Sequence, residues 1–130
     1  MNHIKHDYKG ITINQQSQDG YINLNQMAEA SGKLIHNWLQ NKSTKELFAE
    51  FYRQQSTTWN SDSTTWNSMQ SNSDTVHLVP ALITYEGNNG GTWAHPDIAL
   101  QFAQWCSAAF ALQVSRWVRD WIATNKPPAV

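Results

Sequence analysis

The sequence predicts an α+β domain, and three observations carry that prediction. Glycine-marked turns, Gln18-Asp19-Gly20 and Glu86-Gly87-Asn88-Asn89-Gly90-Gly91, each stand beside short strand-like segments. Apolar residues recur at helical spacing from Leu34 to Leu39, Leu47 to Tyr52, Ile98 to Trp105 and Phe110 to Trp121. Between the second turn and the later helices, Thr92-Trp93-Ala94-His95-Pro96-Asp97 reads as a strand end running into a proline-led helix start.

Taken in order, Tyr8-Lys9-Gly10-Ile11-Thr12-Ile13 alternates as a strand, and Tyr21-Ile22-Asn23-Leu24 returns as its partner after the Asp-Gly turn. Asn25 is placed to cap a first helix that turns Met27 and Ala28 inward and ends at Gly32. A second short helix covers residues 34–40, with Leu34, Ile35, Trp38 and Leu39 inward and His36, Asn37 and Gln40 outward. Two short helices broken by a glycine have helix-turn-helix spacing. Ser43-Thr44-Lys45-Glu46 has the capping-box pattern for a third helix, whose inner face is Leu47, Phe48, Phe51 and Tyr52.

A strand over residues 79–85 and the Thr92-Trp93 strand flank the second glycine turn, a hairpin of the kind that forms a wing beside a helix-turn-helix. Helix four runs from about Pro96 to Cys106 with Ile98, Phe102 and Trp105 inward. Ser107 caps helix five, which carries Phe110, Val114, Trp117, Val118 and Trp121. Trp38, Trp105, Trp117 and Trp121 are assigned to the core, and Trp93 to an anchor under the wing.

Composition narrows the function. The 130 residues suit one domain. No apolar run approaches the roughly 20 residues of a membrane helix, so no membrane partner is expected. A single Cys106 forms no internal disulfide, which suits a reducing cytoplasm. Catalytic chemistry finds no support. Cys106 and His95 sit about 16 Å apart if the helix is continuous, and His3 with His6 makes too small a ligand set for a metal. No catalytic residue, metal or cofactor is assigned.

The segments Gly20-Tyr21-Ile22-Asn23-Leu24-Asn25-Gln26-Met27-Ala28, Gly91-Thr92-Trp93-Ala94-His95-Pro96, Ala103-Gln104-Trp105-Cys106-Ser107 and Phe110-Ala111-Leu112-Gln113-Val114-Ser115-Arg116-Trp117-Val118 together resemble the KilA-N domain of phage and bacterial proteins, a relative of the fungal APSES DNA-binding domain. The resemblance spans residues 8–123, with residues 1–7 as a tail, a low-complexity insertion at about 54–75, and residues 124–130 as a linker to a longer protein. It implies an APSES-like winged-helix domain that binds double-stranded DNA in a phage-type or bacterial regulator, located in the cytoplasm of a bacterial or phage-infected cell.

Residue chemistry supplies the candidate contacts. Lys33, His36, Asn37 and Gln40 point away from the apolar stripe, where amides pair with adenine and lysine meets guanine or phosphate. Lys42 and Lys45 are assigned to phosphate, and Asn88 and Asn89 to a groove or phosphate contact at the wing tip. From Lys33 to Lys45 there are three lysines and no carboxylate, a local positive block in a chain of net charge −1. That near-neutral balance and a wing without cations keep open a second reading, an assembly module on the same fold. The insertion repeats Ser-Thr-Thr-Trp-Asn at 56–60 and 63–67, which makes Trp59 and Trp66 the candidate contacts for a homo-oligomer or protein partner.

Overall fold

The computed structural model describes residues 3–59, 78–87 and 90–124. It divides into two compact units, residues 1–38 with 82–130, and residues 39–81.

The first unit is an antiparallel sheet with helices. Its strands are β1 (His3–Tyr8), β2 (Ile11–Gln16), β3 (Ile22–Asn23), β4 (Leu82–Tyr85) and β5 (Gly91–Ala94), in the order β1-β2-β3-β5-β4. β1 and β2 pair from His3↔Gln16 to Tyr8↔Ile11. They are joined through Lys9 and Gly10, whose φ angles of 54° and 82° give the primed turn that matches strand twist. Residues 3–7, expected as a tail, are therefore most of an edge strand. Lysine is an unusual occupant of positive φ, so the sequence hides this turn.

β3 joins the two hairpins, with Gln15↔Ile22 on one side and Ile22↔Ala94 and Asn23↔Trp93 on the other. The expected strand at residues 21–24 is shorter, because Leu24 already opens α1 (Leu24–Ser31). The cap is Asn23, whose side chain accepts the Gln26 N–H at 3.0 Å; Asn25 instead reaches β5. The β4–β5 hairpin expected from sequence is present, in register from Leu82↔Ala94 to Tyr85↔Gly91, but its first strand starts at Leu82 rather than at residue 79.

α4 (Pro96–Cys106) begins with Pro96 at its first position, and His95 Nδ1 accepts the Asp97 N–H at 3.1 Å. α5 (Ala108–Thr124) is capped by Ser107, whose Oγ accepts the Phe110 N–H at 3.1 Å. Ile13, Ile22, Leu24, Met27, Ile98, Phe102, Phe110 and Val114 form the fully buried centre. α5 also faces β1: His6 stacks on Trp117 at 4.2 Å, and the Tyr8 and Phe110 rings lie 4.6 Å apart. Buried Gln15 is satisfied at both ends of its amide, its Oε1 accepting from His6 Nε2 at 2.8 Å and its Nε2 donating to Gly20 O at 3.0 Å.

Trp38, Trp93 and Trp117 are buried as expected. Trp105 and Trp121 are only half-buried. The Trp121 indole N–H donates to Ser17 O at 2.9 Å, so its polar edge stays at the rim while the ring lies on Gly20. A side chain at Gly20 would meet that ring at 2.9 Å, and its φ is +79°.

In the second unit, α3 spans Lys42–Trp59. Thr44 and Lys45 N–H groups donate to Asn41 O at 3.1 Å, so the helix starts ahead of the predicted capping box. Leu47, Phe48, Phe51 and Tyr52 are half-buried rather than buried. α3 runs into the expected insertion and through its first repeat copy to Trp59; Trp66 lies outside the described residues. Gln55 holds Val79 by a pair of hydrogen bonds, Val79 N–H to Oε1 at 2.7 Å and Nε2 to Val79 O at 3.1 Å. The Tyr52 hydroxyl accepts the Ala81 N–H at 2.7 Å.

Candidate nucleic-acid interface

α1 ends at Gly32 in the left-handed region, with its N–H on Glu29 O and the Lys33 N–H on Ala28 O at 3.0 Å. This closure fixes the direction in which Lys33 leaves the helix. The Lys33 ammonium lies 5.4 Å from the Trp105 ring centre, a cation–π contact that holds the side chain against α4.

α2 (Ile35–Leu39) follows at once. Its anchor is Trp38, 3% exposed and edge-on to Phe102 at 5.1 Å. One large buried aromatic therefore orients a helix too short to hold itself. His36 and Asn37 are exposed, as the sequence pattern requires. Leu34 is not inward: it is 65% exposed. It precedes the helix, and its carbonyl accepts the Trp38 N–H at 3.5 Å, so the apolar stripe begins at Ile35 instead.

An open groove of about 410 Å³ lies between Asn25, Ala28 and Glu29 of α1 and the segment Lys33–His36. Glu29 enters it from outside the carboxylate-free block, so the local field is mixed rather than uniformly positive.

Gln40, Lys42 and Lys45 belong to the second unit, and all three are exposed. Lys42 opens α3 and Lys45 follows three positions later, on neighbouring parts of the helix surface. Asn88 and Asn89 lie outside the described residues. At the ends of that loop, the Gly90 N–H donates to Gly87 O at 3.0 Å.

Among the described residues no three metal-ligating side chains gather, and no helix is long and apolar enough to cross a membrane. Burial pushes the Cys106 thiol above its ordinary range, only partly offset by the Ser31 hydroxyl and the Lys33 charge. A thiol held protonated is a poor nucleophile.

An antiparallel sheet bearing helices, with a short polar helix exposed beside it, defines an α+β module. The chain belongs to the KilA-N domain family, whose model matches residues 4–124. Proteins of this family are generally DNA-binding in phage and viral regulators. The chain is similar to the protein kilA of Escherichia phage P1, with 30% identity over 85% of this chain and 35% of that protein. It is also similar to a putative KilA-N domain-containing protein of Acanthamoeba polyphaga mimivirus, 28% identical over 81% of this chain and 20% of the relative. An uncharacterized protein of fowlpox virus is 24% identical over 93% of this chain and 72% of its own length. The chain thus spans about a third or less of the first two relatives. No solved structure matches it.

Proposed function

We propose that this chain is the DNA-binding domain of a phage-type or bacterial regulatory protein, working on double-stranded DNA in the cytoplasm. In this reading the domain is a winged helix: α1 and α2 form the helix-turn-helix-like pair, and the β4–β5 hairpin is the wing. The observation that carries it is the exposure of Lys33, His36 and Asn37 around a helix pinned by buried Trp38. A recognition element needs this combination of exposed polar side chains and a rigid base. Asn37 and Gln40 read base edges, His36 adds a further polar contact, and Lys33, Lys42 and Lys45 meet phosphate. Asn88 and Asn89 contribute from the wing tip.

The test is a mobility shift with random-sequence duplex at about 50 mM salt. Replacing Lys33, Lys42 and Lys45 together by glutamine abolishes binding while leaving the circular dichroism spectrum unchanged. Three phosphate contacts give a log–log salt slope near −2.7, at about −0.9 per phosphate. A triple variant that binds like the parent refutes the assignment.

The assembly reading is supported by Leu112 and Ile122, 63% and 54% exposed on α5. Light scattering across concentrations, with and without duplex, separates the two. Self-association in a protein that ignores DNA favours assembly, in which Trp59 and Trp66 are the first residues to replace.

A further inference from the structure

Leu34 is 65% exposed and lines the groove beside Ala28 and Ile35, with polar side chains of Asn25, Lys33 and His36 around them. Lys33 precedes it, His36 and Asn37 follow, and its carbonyl is tied to the N–H of buried Trp38 at 3.5 Å. The main chain at Leu34 is therefore held one turn from a rigid anchor. Leu34 and Asn37 are three positions apart across that closed turn.

We propose that Leu34 is a specificity-determining residue that contacts the C5-methyl group of thymine in the major groove. The proposal rests on the DNA-binding reading and deepens it. A duplex is a polyanion whose major groove carries only one apolar group, the thymine methyl. A partner that accepts a cation, an imidazole, an amide and one exposed leucine in a single short segment has this chemistry. Glu29 in the adjoining groove disfavours a phosphate there and accepts from an exocyclic amine, so the Leu34 side of the groove faces base edges. With Asn37 directed to adenine, the two side chains read neighbouring positions rich in A·T pairs.

The test starts from a duplex selected by the intact chain out of a random-sequence pool. Each thymine is then replaced singly by uracil, which removes the methyl group and keeps the pairing. The parent is expected to lose about fourfold in affinity at one or two positions, the ratio for one apolar carbon returned to water. Leu34→Ala is expected to bind the thymine and uracil versions of those positions equally. Because Leu34 is exposed, this variant keeps the parent's urea midpoint. Two outcomes overturn the proposal: no uracil-sensitive position, or a sensitivity that survives Leu34→Ala, whose loss is then equal on both versions. A parent that binds no duplex at about 50 mM salt overturns the DNA-binding reading as well, which distinguishes the two failures.

Discussion

Asn25 Oδ1 accepts the backbone N–H of Thr92 at 2.6 Å, tying α1 to the start of β5 across 67 positions of sequence. Gly91 makes the approach possible. A Cβ there would lie 2.9 Å from the same oxygen, and its φ is +141°. Asn25→Ala is expected to cost about 1 kcal/mol, the net worth of one such bond. Gly91→Ala is expected to cost about 1–3 kcal/mol for the forced backbone. Urea midpoints decide, and equal losses would mean that the glycine acts only through the Asn25 bond.

Trp93 is the buried anchor of the β4–β5 hairpin, 3% exposed, with the His3 ring 5.1 Å away. Trp93→Ala is expected to cost about 3–5 kcal/mol. A loss below about 1 kcal/mol would mean that the indole contributes little more than a surface residue.

Stability should fall in mild acid. Burial holds both His6 and His95 below the ordinary imidazole range, against the opposing pull of the Gln15 hydrogen bond and Asp120 on His6 and of Asp97 and Asp19 on His95. Both favour the neutral ring in the folded state. Their contribution is complete above the unfolded value of about 6.5 and is lost as pH falls from there through the lower folded values. Protonating His95 Nδ1 also removes the acceptor of the α4 cap. Urea midpoints at pH 7.5, 6.5 and 5.5 are expected to decline in that order. His95→Asn, which keeps a capping oxygen, is expected to flatten the decline. A midpoint constant over this range contradicts the assignment.

The segment between α3 and β4 should be exchangeable. Gln55 and Tyr52 hold the returning chain at Val79 and Ala81 through side-chain bonds that do not involve the residues between. Replacing residues 60–73 by a short glycine–serine linker is expected to move the urea midpoint little, because closure entropy changes slowly with length. Loss of the folded state would show that the repeat is structural.

The regular parts of this fold were legible because local chemistry states them. The proline start of α4, the Ser107 cap and the helical spacing of Phe110, Val114 and Trp117 each point to one structure. The misread places are those where two residues offer the same chemistry and tertiary contact chooses. Asn23 and Asn25 both qualify as caps; pairing of Asn23 with Trp93 places the former at the helix entry and frees the latter for Thr92. Leu34 fits an apolar stripe by spacing, but the stripe starts with the helix at Ile35. Lys9 gives no hint of its positive φ, so β1 went unread. Within the candidate site, exposure of Lys33, His36 and Asn37 followed from pattern alone, whereas Glu29 entered only when α1 folded beside them.

The sheet is continuous only because two residues, Ile22 and Asn23, join one hairpin to the other. This seam divides folding in time. β1 with β2, and β4 with β5, close over short stretches of chain and can form in microseconds. The seam must wait for residues 22–23 to find 93–94, a long loop whose closure is entropically costly and repaid by few backbone bonds. Two locally formed hairpins docking late through β3 make that short strand the kinetic bottleneck of the domain. Substitutions at Ile22 should therefore slow folding, and so should those at the hairpin tips, whose contacts already stand when the seam closes.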